Sequence, residues 1–243
     1  MAKEEIYTIP LWDAVRSNDE CPFCFIQHKL EKDIIDFCLS DAYMQPDFRQ
    51  TTNAIGFCRT HYSALYQSSN KLGLVLVNQS HLMEMMENFD KATKSLSLSK
   101  QGIFKKNDAK PSLLDSLYKT LVEDCYICNR IEETMDRYFD TFFYLYKRDD
   151  EFKKHLNTTK GFCMPHYIKL INTGRASKKA DVFNEFIDQT MPLFKANMNR
   201  MLDDMQWFVN KYDYRYQDQP WKDAKDAPNR SIQKLNGTKL DPL

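Results

Sequence analysis

Six glycines in 243 residues are too few for a protein built from tight turns, and no segment reads as a β-strand. Excess charge of either sign is also missing. Lys plus Arg number 34 and Asp plus Glu number 34, so no bulk field draws the molecule toward nucleic acid or an anionic membrane. The longest apolar stretch, Leu72 to Val77, is broken by Gly73 and falls far short of the ~20 residues that span a bilayer. Met1 to Val15 lack the apolar run of a secretory signal, which leaves a soluble, cytoplasmic protein as the expectation. No HExxH helix of a zinc hydrolase is present. The acid pairs Glu132-Glu133, Asp149-Asp150 and Asp203-Asp204 read as solvated faces, and no carboxylate pair has a spacing that demands catalysis.

What is abundant is Leu, Met, Lys, Glu and Asp in helical periods, so the expected fold class is all-α. Phe23, Ile26, Leu30, Ile34 and Phe37 mark one helix from Pro22 to about Leu39. A second begins near Cys58 and runs through Tyr62, Leu65 and Tyr66. A third, from about Leu72 to Leu96, is expected to turn Val75, Leu82, Met85, Met86 and Phe89 inward. The period lapses over Ser97 to Pro111 and restarts with helices from about Ser112 to Glu123, Tyr126 to Lys147 and Phe162 to Asn172. The longest helix, from about Lys178 to Tyr212, contains Pro192, where a kink is expected.

Within this frame one pattern occurs twice. Cys21-Pro22-Phe23-Cys24 is followed by Gly56-Phe57-Cys58-Arg59-Thr60-His61. Cys125-Tyr126-Ile127-Cys128 is followed by Gly161-Phe162-Cys163-Met164-Pro165-His166. A one-residue insertion between Phe152 and Gly161 aligns the two copies, so the chain reads as two pseudo-symmetric helical repeats about a pseudo-twofold axis. The expected division is 1–98 for the first repeat, 99–111 for a linker, 112–212 for the second repeat and 213–243 for an irregular aromatic and basic tail. Each copy carries three thiols and one imidazole, the ligand set of a closed tetrahedral zinc site. Two Zn2+ ions are expected, one per repeat: Cys21, Cys24, Cys58 and His61 in the first, Cys125, Cys128, Cys163 and His166 in the second. Iron–sulfur clusters prefer four thiolates or a two-histidine variant. The competing reading is a set of buried cysteines with no metal.

Other candidates are weaker. Cys21-Pro22-Phe23-Cys24 resembles a redox pair, yet no strand precedes it and the second copy lacks the proline. His28, four residues after Cys24, is a candidate partner of the metal site or a surface residue. His81 and His155 are expected at the surface, and Cys38, the odd thiol, in the core. Tyr214, Arg215, Tyr216, Trp221 and Arg230 in the tail are expected to pack on the helical body or on a partner.

Tyr7-Thr8-Ile9-Pro10, both CxxC and GFCxxH pairs, Asp213-Tyr214-Arg215, Pro220-Trp221 and Ile232-Gln233-Lys234-Leu235 together resemble a bacterial family catalogued as a domain of unknown function, number 6062. The resemblance covers nearly the whole chain and implies a cytoplasmic bacterial protein, without an activity to carry over. The functional expectation is a non-enzymatic, zinc-stabilised scaffold that binds a macromolecule. Alternatives are a thiol-based zinc redox sensor and a nucleic-acid-binding zinc protein. Lys100, Lys105 and Lys106 are the only local basic cluster for the last, and balanced charge weighs against it.

Overall fold

The computed structural model describes residues 2–94, 112–177 and 179–240, with side chains from residue 6 onward. The linker over 99–111, with Lys100, Lys105 and Lys106, lies outside the described residues. Among the described residues the chain is helical throughout and contains no strand. In order the helices are α1 (Ala2–Arg16), α2 (Pro22–Leu39), α3 (Pro46–Ile55), α4 (Arg59–Gln67), α5 (Lys71–Thr93), α6 (Leu113–Glu123), α7 (Tyr126–Arg148), α8 (Asp150–Leu156), α9 (Met164–Ala176), α10 (Ala180–Asn210) and α11 (Ala227–Asn236).

The helices with strong apolar periods fall where the pattern places them. Those without one were not legible. Helix α1 has Pro10 in its interior, α3 buries only Phe48 and Thr52, and α8 is held by Asp149, whose side chain accepts from the N–H groups of Glu151 and Phe152. Helix α10 continues through Pro192 as one element. The tail, expected to be irregular, contains α11, which packs on α9 and α10.

Two compact units emerge, and their membership is interleaved along the chain. One comprises Met1–Lys29 with Thr134–Leu243, the other Leu30–Glu133. The divide falls inside α2 and inside α7.

The first unit is organised by aromatic rings. Phe23 stacks on Phe139 with centroids 4.4 Å apart, and Phe142 meets Phe152, Phe162 and Phe186 in edge-to-face contacts. Such pairs add about 0.5–1.5 kcal/mol each beyond area burial. In the second unit α3 lies along α5, and Phe48 stands edge-on to Tyr126 at 4.9 Å. Cys38 is fully buried there, and burial pushes its thiol up to about 12. The inward face expected for α5 is corrected. Only Met85 of the expected set is buried, alongside Gly73, Leu74, Val77 and Ala92, whereas Val75, Leu82, Met86 and Phe89 are exposed. The helix is apolar on two faces, and period alone does not say which one α3 covers.

Candidate metal centres

The four ligand pairs share one local construction. The carbonyls of Cys21, Cys58, Cys125 and Cys163 accept the first helical hydrogen bond, from Phe25, Tyr62, Asn129 and Tyr167 respectively, at 2.9–3.1 Å. Each cysteine therefore stands at an N-cap, and the second ligand of each pair follows three residues later. That spacing puts both side chains on the same side of the first turn, where exposed N–H groups favour a thiolate. The glycine of GFCxxH supplies the turn into this start. Gly56 has φ +61° and Gly161 φ +72°, in the left-handed region that β-carbon sterics close to most residues.

The structure brings all eight predicted ligands into two clusters, with the pairing exchanged. The first contains Cys21, Cys24, Cys163 and His166, the second Cys58, His61, Cys125 and Cys128; within each, the ligand atoms lie within 4.8 Å of one another. Each CxxC thus meets the CxxH of the other copy, which corrects the assignment of one quartet to each repeat. The reason lies in where the units divide. Helix α2 passes from the first unit into the second after Lys29, so the GFCxxH at 56–61 belongs to the second unit with Cys125 and Cys128, and α7 passes back into the first unit at Thr134, ahead of Cys163 and His166. In the second unit the backbone joins the partners directly, because Tyr126 N–H donates to the Gly56 carbonyl at 3.0 Å.

The geometry fits a tetrahedral ion. Zn–S and Zn–N bonds of ~2.3 and ~2.0–2.1 Å imply tetrahedron edges of roughly 3.6–3.8 Å. His166 Nδ1 lies 3.6, 3.5 and 3.1 Å from Sγ of Cys21, Cys24 and Cys163. His61 Nδ1 lies 3.2, 3.2 and 3.4 Å from Sγ of Cys58, Cys125 and Cys128, and Cys58 Sγ is 3.9 Å from Cys128 Sγ. Both imidazoles therefore present Nδ1 to the centre. Their outer nitrogens are held as well, His166 Nε2 by Gln27 Oε1 at 2.9 Å and His61 Nε2 by Glu31 Oε1 at 3.0 Å. Such partners fix ring orientation and ligand basicity. His28 was read either as a partner of the metal site or as a surface residue, and the partner role is filled by Gln27 and Glu31. They lie three and seven residues beyond Cys24, positions that the helical period places on its face.

Electrostatics single out one thiol in each cluster as the favoured thiolate. Against burial, which pushes it up, hydrogen bonds from Cys163, Cys24 and His166 hold the Cys21 thiol well below its ordinary range. Cys125, also opposed by burial, is drawn down to about 6 by His61 and neighbouring backbone N–H groups. Three other thiols move the opposite way. Hydrogen bonding to Cys163 and Cys21 raises Cys24, that to Cys21 raises Cys163, and burial with the Cys125 thiolate raises Cys128. Burial pulls His61 down, but Cys125 and Glu31 prevail and lift it to about 10. Three sulfurs this close cannot all be anions without a cation among them.

The two centres differ in their surroundings. All four ligands of the first are buried, and the tail closes over it. Gly237, at φ +82° past the end of α11, comes so near that a Cβ there would sit 3.7 Å from Cys163 Sγ and His166 Cε1 and 3.9 Å from Cys24 Sγ. Lys234 anchors this segment. Only 2 % exposed, its ammonium donates to the carbonyls of Glu20 at 2.7 Å and Lys160 at 2.5 Å and pairs with the Glu20 carboxylate at 3.3 Å. Arg200 reaches the same carboxylate at 2.5 Å and Arg230 at 3.5 Å. Asp19 adds contacts to Gln233 and Lys239 at 2.5 Å. The sequence signal for this latch was the aromatic and basic tail, without any hint of its target. In the second centre Cys128 is exposed and Cys58 partly so. His81, expected at the surface, is half-buried in the same unit and its Nδ1 is 2.7 Å from the Asn53 carbonyl oxygen.

No helix among the described residues is long and apolar enough to cross a membrane. No curated protein and no solved structure matches the chain. A family of unknown function, DUF6062, matches residues 2–242, the whole span that carries both Cys/His clusters and the tail, and the chain belongs to that family.

Proposed function

We propose that the protein is a non-enzymatic helical scaffold in which two zinc ions, one in each unit, serve as structural members of the fold. The observation that carries this reading is the completeness of each cluster. Three sulfurs and one Nδ1 fill a tetrahedron, so substrate or water finds no open position, in contrast to the three-ligand pattern of catalytic zinc. Thiolate-rich donors favour zinc over calcium or magnesium, and a single imidazole with three thiolates is a common structural zinc set. A cavity of about 200 Å³ in the first unit, lined by residues such as Phe143, Tyr144, Lys147 and Arg148, has Asp140 as its one carboxylate and no histidine or cysteine. The role we assign to such a molecule is to present its surface to a macromolecule.

Elemental analysis of protein purified without added metal tests the proposal, with two zinc equivalents per chain expected. Chelation should remove them together with the helical circular-dichroism signal. Protein that is fully helical and metal-free sinks the reading.

A second reading, a thiol-based zinc redox sensor, is favoured by the exposure of Cys128 in the second centre. A hydroperoxide would take two electrons from the Cys125 and Cys128 thiolates and two protons from solvent, its O–O bond breaking to give an alcohol and water, or two waters from hydrogen peroxide, as an Sγ–Sγ bond forms and zinc is released. Mild peroxide should then release one equivalent and leave the sealed first centre loaded. Retention of both equivalents excludes it.

A further inference from the structure

The second unit carries an apolar stripe that none of its described residues covers. On α5, Leu72, Val75, Leu82, Met86 and Phe89 are 46–67 % exposed, and Met83 beside them is 68 % exposed. Leu72, Val75, Gln79, Leu82, Met86 and Phe89 are spaced alternately three and four residues apart. That is the 3.5-residue period of a helix–helix seam, with Gln79 the one polar member. The buried residues Gly73, Leu74, Val77, Met85 and Ala92 lie on the opposite side, against α3. Helix α6, packed beside α5, leaves Leu113, Tyr118, Leu121 and Val122 49–69 % exposed.

Magnitude separates this from ordinary surface. With ~200 Å² for a large apolar side chain, the six apolar residues on α5 expose roughly 700 Å². That exceeds the ~300–600 Å² of the largest patch on a typical monomer and approaches the ~800 Å² that each partner buries in a standard interface.

We infer that the α5 stripe is a homodimer interface in which α5 of one copy packs on α5 of a second copy. A second copy is the occupant because the stripe on one chain comes close to the area that each partner of a standard interface buries and the seam is helical in period. A two-fold axis brings such a stripe onto itself, as isologous dimers require. Helix α5, about 35 Å long, offers three heptads to that contact. Gln79 at a seam position fixes the register at some cost in affinity, as single polar seam residues do.

Sedimentation equilibrium of the full-length, metal-loaded protein, up to ~100 μM to cover the weak end of interfaces this size, should give twice the mass of one chain. Leu82→Glu puts like charges face to face in the seam, so the dissociation constant should rise about 100-fold or more, with zinc content unchanged. Gln79→Leu should tighten the dimer about tenfold, a gain that damage to the fold cannot mimic. A single-chain mass at every concentration overturns the inference and assigns the stripe to another occupant, such as residues 95–111 of the same chain. A dimer that survives Leu82→Glu, or one that Gln79→Leu fails to tighten, overturns it as well. Unchanged zinc in the variants keeps this test separate from the metal proposal.

Discussion

Two double substitutions distinguish the observed pairing of ligands from the pairing that sequence order suggests. Cys58 and Cys125 share the second centre, whereas Cys21 belongs to the first. If each quartet closes on one ion, Cys58→Ser with Cys125→Ser disables one centre and leaves one zinc per chain. Cys21→Ser with Cys58→Ser disables both and leaves none. Pairing within repeats predicts the reverse, one and zero exchanged. The thermodynamic stakes are large, because apparent zinc-binding energies of about 10–16 kcal/mol match or exceed the ~5–15 kcal/mol that holds a domain folded. Loss of the second centre should therefore unfold the unit Leu30–Glu133, where His61 Nδ1 sits 3.2 Å from both Cys58 and Cys125 sulfurs. Zinc per chain by elemental analysis gives the count, and hydrogen exchange gives the location. One equivalent retained by the Cys21/Cys58 variant, or none by the Cys58/Cys125 variant, refutes the arrangement.

The tail latch predicts that Gly237→Ala, whose methyl meets the sulfurs at ordinary contact distance, costs only the left-handed backbone term of about 1–2 kcal/mol. Gly237→Val adds branches toward Cys163 and Cys24, and should speed chelator-driven loss of one zinc equivalent while the other leaves at the wild-type rate. Lys234→Met leaves buried Glu20 to Arg200, Arg230 and the more distant Lys160 and should destabilise the protein by about 2–3 kcal/mol, the remaining cations keeping it below the ~3–5 kcal/mol of a broken buried pair; denaturant titration measures it. Cys38, fully buried with its thiol raised to about 12, should resist iodoacetamide in folded protein and react only after unfolding, as read by mass spectrometry.

Much of this molecule is decided locally, and that much the sequence determined alone. The all-helical fold follows from scarce glycine and strong apolar period. The eight candidate ligands follow from a spacing in which an N-cap cysteine and the third helical residue share a turn, a relation that holds whatever else the chain does. Helices without an apolar stripe, α1, α3 and α8, escaped notice because neighbours or caps hold them in place of a period. Tertiary structure decided the rest. Which helix start meets which depends on where α2 and α7 pass from one unit to the other, and a repeat in sequence carries no information about that path. Gln27 and Glu31 became partners of the imidazoles only once His166 and His61 arrived beside them. The same holds for Gly237 over the first centre and for the side of α5 that α3 covers, because a residue's neighbours across the chain are set by long-range packing, whereas its neighbours along a turn are set by the helix itself.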